Sequence, residues 1–392
     1  MHTQSFTYLE EFLKKKIELD EVKGSAIAII HKGKEVYRNE FGMADVAKNM
    51  EMKRDTIFRC YSMTKPITNM AVMILLERGL ISLSDPVENY LPGFKDQKVL
   101  KDGKLTPVET PVTIQNLLDM DGGVVYPDIY FDAGQKMQDR IDAYYDDAYS
   151  GKPLDTVAFA NMVGEMPLEF HPTNGWRYSF SADVLGGIVE VVSGMRYSDF
   201  LKKNIFNPLG MTDTDFYVPE EKMDRFMEVY EWTEDGLKPW EFDRMLGLTY
   251  RFYKRPEFES GGAGLVSTID DYEKIVRTFL GFGTCDGVRI LGRKSIEYMS
   301  CDHLKNEAQR KMLDWESLRG YGYGNLMRQM LDPHGNESLG TVGEYGWDGF
   351  LGTYMFVDPK EDLGIVYVIQ KCGGNGYRDV QVIRNIIYGA LD

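Results

Sequence analysis

Residues 59–76 read RCYSMTKPITNMAVMILL. From Ile67 to Leu76 the apolar side chains fall nearly all round a helix, which marks it as buried rather than superficial. Ser62 and Lys65 stand three apart at its mouth and so share one face. A lysine near the interior, at the positive end of the helix dipole, holds its proton less firmly than usual. A neutral amine there can take the proton of a serine hydroxyl, which is otherwise a poor nucleophile. The spacing alone does not decide the matter. About one Ser-x-x-Lys arises by chance in a chain of this size, and a helix start followed by a surface lysine accounts for the isolated motif.

The chain has 392 residues, more than one typical domain, so two domains or one large two-part unit is expected. Its 24 Tyr, 20 Phe and 21 Met supply a sizeable core. A formal net charge of −16 argues against a nucleic acid or anionic membrane partner. The four cysteines, Cys60, Cys285, Cys301 and Cys372, form no CxxC pair and suggest neither a metal site nor a disulfide framework. MHTQSFTYLEEFLKKKIELDE lacks the basic start and apolar core of a secretory signal. It reads as an amphipathic helix with Phe6, Leu9, Phe12 and Ile17 near one face. Apolar runs are too short to span a bilayer, so a cytoplasmic location is expected.

GSAIAIIHKGKEVYRNEFGMAD (24–45) predicts a β-hairpin turning at Lys32-Gly33-Lys34, its second strand reaching about Gly42. After the Ser62 helix, Gly79 is a stop, and TPVTIQNLLDM predicts a short helix capped by Thr113. Residues 126–172 are aromatic and acidic and read as an irregular insertion over a cleft. SADVLGGIVEVVSGM (181–195) and IDDYEKIVRTFLGFG (269–283) predict helices. Strands at LGTYMFVD (351–358) and LGIVYVIQK (363–371) flank a turn at Pro359–Asp362, and a closing helix starts near Asp379. Strands at both ends predict an α+β fold: one antiparallel sheet flanked by helices, with a mainly helical subdomain inserted. The expected organisation is a single unit over 1–390. Its α/β subdomain covers about 1–80 and 265–392, and a helical lid subdomain covers about 81–264.

Two stretches give the Ser62 motif its context: WRYSFSADVLGGIVEVVSGM (176–195), with Tyr178, and EYGWDGFLGTYMFVDPKEDLGIVYVIQ (344–370), with Trp347-Asp348-Gly349. In this order with SMTK they resemble the serine β-lactamase-like and penicillin-binding-protein-like superfamily, most closely its class C-like esterases. GLISLSDPVENYLPGF, VTIQNLLDMDGG, NPLGMTDTDFYVP, SGGAGLVSTIDDYEKI and DGVRILGRKSIEYM extend the resemblance along essentially the whole chain.

The resemblance implies that Ser62 accepts the acyl group, that Lys65 is its partner and that Tyr178 faces both. A phenol between an ammonium and a leaving group can relay a proton, and nearby positive charge is expected to lower its proton affinity. Lys65 and Tyr178 are therefore expected to accept the Ser62 proton, and Tyr178 to help activate the deacylating water. Trp347-Asp348-Gly349 matches the strand motif that is Lys-Thr-Gly in β-lactamases, with Gly349 allowing close approach of a substrate carbonyl. By the same match the backbone N–H groups of Ser62 and Phe350 form the oxyanion hole.

The departures bear on substrate. Trp347 and the acidic Asp348 stand where β-lactamases use a cation to hold a carboxylate, which disfavours anionic β-lactams. Asp348 suits either a solvated, locally bonded carboxylate or a contact to a substrate amine. Tyr178-Ser179-Phe180 lacks the asparagine of Tyr-x-Asn, and Met120-Asp121-Gly122-Gly123 replaces His-Thr-Ser-Gly. Phe180 and the insertion aromatics Tyr126, Tyr130, Phe131, Tyr144 and Tyr145 are expected near the acyl or alcohol site.

No Gly-x-Ser-x-Gly elbow, HExxH or phosphate-loop context occurs, and the five histidines show no metal-ligand spacing. SGGAG and CGGNG read as turns or close packing points. The expectation is a serine hydrolase for a small-molecule ester with no metal or organic cofactor. An amidase or peptidase for D-amino acid derivatives, an acyltransferase, a weak β-lactamase and a non-catalytic binding protein remain alternatives. Oligomeric state is not legible.

Overall fold

The computed structural model describes residues 1–241, 244–248, 252–311, 313, 315–374 and 376–392. Eight antiparallel strands form the main sheet, in spatial order Tyr321–Gly324, Met327–Met330, Tyr345–Asp348, Tyr354–Asp358, Leu363–Val368, Gly24–His31, Lys34–Asp45 and Met50–Glu51. The two chain ends join at its centre, where Ala28 pairs with Val366. The predicted hairpin forms, and Lys32 and Gly33 make its turn at φ 52° and 70°.

Alternation along the strands sorts their side chains to two faces. Ile27, Ile29, Phe356 and Ile365 pack with Phe6, Leu9 and Leu13 of the helix Phe6–Glu18 and with Ile383 and Ile387 of the helix Tyr377–Gly389. Phe12 and Ile17, expected on the buried stripe, lie at its margin and are only half-buried. Ala28, Ile30, Met355 and Val366 face the helices Thr64–Glu77 and Ile269–Leu280. Every residue from Thr64 to Leu75 is buried, as the all-round apolar pattern requires.

Thr113 caps Ile114–Asp119 through the Asn116 amide, completing a capping box. The helix Ser181–Ser193 ends at Gly194 in the left-handed conformation. The stretch 126–172 is not irregular, because it contains the helices Asp132–Tyr149 and Thr156–Gly164. Ala133, Met137, Ile141, Tyr144 and Tyr145 recur at helical spacing and are buried. The acidic residues between them mask that stripe in the sequence. Two small hairpins also went unanticipated, Lys98–Lys101 with Lys104–Pro107 and Tyr230–Thr233 with Gly236–Pro239. Their Asp-Gly turns, Asp102-Gly103 and Asp235-Gly236, were the available signal.

Candidate active site

A short turn carries the serine into the cleft. Tyr61 sits at φ 44°, a left-handed conformation that a bulky side chain rarely takes. The residues around it hold the turn in place. Gln370 accepts from the Arg59 amide at 2.9 Å and donates to the Arg59 carbonyl at 3.1 Å. Thr353 donates to the Cys60 carbonyl at 3.3 Å, and the Tyr272 hydroxyl donates to the Met63 carbonyl at 2.6 Å. Gly349 presses against the same turn. A Cβ there would lie 2.5 Å from the Cys60 carbonyl oxygen and 2.2 Å from Thr353 Oγ1, so only glycine fits.

Lys65 is fully buried. Its Nζ lies 3.2 Å from Ser62 Oγ, 3.2 Å from the Tyr126 hydroxyl and 2.9 Å from the Gly262 carbonyl oxygen. Desolvation pushes its amine down from 10.5 to about 7, against the opposing pull of Asp183 and Asp348. When neutral, the amine can give its two N–H groups to Gly262 and Tyr126 and turn its lone pair to Ser62 Oγ. At pH 7 about half of the molecules then hold the free base, against roughly one in three thousand for an ordinary lysine.

Tyr178 closes the group. Lys65 Nζ lies 4.4 Å from the centre of its ring, and the Ser62 hydroxyl is near enough to its phenol to favour the phenolate. The Trp347 indole N–H donates to the phenol oxygen at 3.0 Å. The lowered proton affinity expected of Tyr178 is reversed in the fold. Burial pushes the Tyr178 phenol well above its ordinary proton affinity, outweighing the hydrogen bonds that favour the anion. A lysine that burial keeps half neutral supplies little positive field to lower it. Tyr178 is therefore a neutral phenol, suited to donating a proton rather than accepting one first.

The cleft has a volume of about 580 Å³. Ser62, Tyr126, Tyr178, Trp315, Trp347 and Phe350 are among the residues that line it. The Phe350 amide donates to no protein acceptor among the described residues, leaving it available to an oxyanion. Asp348 also lines the cleft, with its side chain 44% exposed. Its Oδ2 lies 3.7 Å from Nη1 of the buried Arg328, an ion pair rather than a hydrogen bond.

The remaining sequence candidates sit elsewhere. Tyr130 is 90% exposed and lies outside this cleft. Phe180 is fully buried with its ring 4.6 Å from that of Tyr126, so it supports the wall from behind. Phe131 stacks under Arg177. Tyr144 and Tyr145 belong to the core of their helix, the Tyr145 hydroxyl accepting from the Gly247 amide. Sequence reasoning missed the Gly262 carbonyl, Trp315 and Arg328. The SGGAG turn was a visible signal for the first, whereas nothing local marks the other two. Among the described residues no three His, Cys, Asp or Glu side chains converge to hold a metal ion, and no helix is long and apolar enough to cross a membrane.

Comparison with known proteins places this geometry in context. The beta-lactamase family model matches residues 9–387. Protein Rv1367c of Mycobacterium tuberculosis is 32% identical over 361 residues, covering 90% of this chain and 86% of that protein. Esterase EstB of Burkholderia gladioli is 29% identical over 354 residues, covering 87% and 84%. Among solved structures, EstCE1, a hydrolase with promiscuous acyltransferase activity, superposes with a TM-score of 0.79 at 23% identity, covering 98% of this chain and 99% of that one. With a family match along nearly its whole length and an antiparallel sheet flanked by helices, the chain belongs to the beta-lactamase family, a group of serine hydrolases with esterase and acyltransferase members.

Proposed function

We propose that this protein hydrolyses carboxylic esters through an acyl-enzyme on Ser62. The observation that carries this reading is the fully buried Lys65 amine, anchored by Gly262 and Tyr126 and held 3.2 Å from Ser62 Oγ at the base of an aromatic cleft. Neutral Lys65 takes the Ser62 proton while Oγ forms a bond to the ester carbonyl carbon. The electron pair displaced onto oxygen meets the Ser62 and Phe350 amides, fixed donors that need no reorganisation. As the C–O bond to the alcohol breaks, Tyr178 passes its proton to the departing oxygen and is reprotonated from Lys65. Water then repeats the sequence on the acyl-enzyme and releases the acid.

The walls favour a neutral substrate. Trp347 spends its N–H on Tyr178, and the Arg328 guanidinium that reaches the cleft is already ion-paired with Asp348, so neither is free to hold a carboxylate. That combination supports esters over anionic β-lactams, in line with the name of the EstB relative. Ser62→Ala should abolish turnover of short-chain nitrophenyl esters. Hydrolysis retained by that variant overturns the assignment.

A further inference from the structure

The SGGAG turn, residues 260–264, supplies the carbonyl that holds Lys65, and its other side leads to a second buried group. Asp183, in the first turn of the helix Ser181–Ser193, is 1% exposed. Ser260 Oγ donates to its Oδ1 in a short hydrogen bond of 2.5 Å, and the Gly262 amide donates to the same oxygen at 3.1 Å. Ser260 Oγ in turn accepts from the Ala263 amide at 2.9 Å. That amide belongs to the same peptide plane as the Gly262 carbonyl, which accepts from Lys65 Nζ at 2.9 Å. The hydrogen bonds therefore run without a break from the lysine through the Gly262–Ala263 peptide and the Ser260 hydroxyl to the Asp183 carboxylate. Bonds in such a chain polarise and strengthen one another in a low-dielectric interior.

The glycines are what allow the approach. A Cβ on Gly262 would lie 2.5 Å from Asp183 Oδ2, and one on Gly261 would lie 2.3 Å from the Ala182 carbonyl oxygen. The turn is stripped of side chains where the Asp183 helix packs on it.

We propose that Asp183 is a positioning residue for Lys65, acting through Ser260 and the Gly262–Ala263 peptide to steady the ammonium that Lys65 becomes on taking the Ser62 proton. The proposal rests on the ester-hydrolase reading above. In the step concerned, the Ser62 O–H bond breaks, its proton moves to Lys65 Nζ and Oγ bonds to the carbonyl carbon. The new positive charge appears on Lys65, and Asp183 is the carboxylate that answers it from behind. Asp183 touches no substrate.

The groups around the pair are few. Lys65 faces Tyr126, Tyr178, Asp183 and, more remotely, Asp348. Asp183 faces Lys65, Ser260, Tyr126, Tyr178 and Tyr197, the last being hydrogen-bonded to Thr68. Burial lifts the Asp183 carboxyl to about 6, with Lys65 the largest opposing influence.

The test is kcat/KM against pH, from pH 5 to 9, for a short-chain nitrophenyl ester with the full chain. Wild type, Asp183→Asn, Ser260→Ala and Ser62→Ala are compared, with melting curves to establish folding. In Asp183→Asn the ammonium loses its counter-charge, so the acid limb should move about 1 pH unit lower. The plateau should fall at least about tenfold, with KM changed less than about threefold. Ser260→Ala keeps the charge and breaks the relay, so its plateau should fall while its acid limb moves less. An acid limb that stays in place in folded Asp183→Asn, at any rate, overturns the proposal, since a merely structural carboxylate would leave it there.

Wild type alone provides a second test should Asp183→Asn fail to fold. Protonating Asp183 removes the same counter-charge as Asp183→Asn, so log kcat/KM below about pH 6 should fall more steeply than a slope of 1 until that further loss is complete. A slope of 1 throughout overturns the coupling. Ser62→Ala separates the two claims. Activity in that variant refutes the hydrolase mechanism itself, whereas an inactive Ser62→Ala beside an unmoved Asp183→Asn profile refutes the Asp183 role alone.

Discussion

Lys65→Met should make the protein more stable and almost inactive. The wild-type amine falls from 10.5 in the unfolded chain to about 7 in the fold. Between those values the unfolded chain binds more protons than the folded one, so stability rises with pH, by about 1.4 kcal/mol per unit. At pH 7, where the folded amine is already half neutral, it therefore withholds roughly 4 kcal/mol. Methionine, of similar length and apolar, removes that penalty but forfeits the hydrogen bonds to Gly262 and Tyr126, about 1 kcal/mol each. The net expectation is a gain of roughly 2–3 kcal/mol at pH 7, fading to about zero near pH 9. Urea unfolding of both proteins at pH 7 and pH 9 measures it, and kcat/KM for a nitrophenyl ester should fall between about 10²- and 10⁴-fold. A stability difference that does not change with pH would refute the depressed lysine. It would remove with it the free base at neutral pH.

Other variants separate the supporting roles. Tyr178→Phe should lower kcat by about 10²-fold or more through loss of the proton donor. Tyr126→Phe removes one lysine contact and should cost about tenfold in kcat/KM; steady-state kinetics of the pair checks both. Trp347→Phe deletes the N–H on the Tyr178 phenol and should reduce kcat about tenfold with little change in KM. Asp348→Asn removes the rim charge beside Arg328. It should raise kcat/KM for carboxylate-bearing esters about tenfold relative to their neutral analogues, measured in paired competition assays.

Much of this architecture is legible in the sequence where periodicity is strong. The all-round apolar run from Ile67 to Leu76 becomes a buried helix, and the strands at the two chain ends meet in one sheet, Ala28 opposite Val366. Capping residues mark helix ends, as at Thr113 and Gly194. Patterns fail where composition hides them. The acidic residues of Asp132–Tyr149 conceal a stripe that packs like any amphipathic helix. Side chains are easier to nominate than main-chain atoms. Ser62, Lys65 and Tyr178 carry motif signals, but the Gly262 carbonyl that anchors the lysine has no side-chain identity to read. Arg328 lies on a strand that gives no local hint of the carboxylate opposite it. Tyr126 was readable only as an aromatic of the insertion, and its contact to Lys65 arises from long-range folding. The sign of the Tyr178 shift was misread for a related reason. Burial dominates over charge there, and burial is a property of the whole assembly rather than of any segment.

Acid-quenched mass spectrometry during turnover of a slowly deacylating ester tests the central claim most directly. The account predicts a mass increase of one acyl group per chain, located by peptide mapping to Ser62 and missing from Ser62→Ala. Turnover with no acylated chain, or an acyl group mapped to another residue, would contradict it.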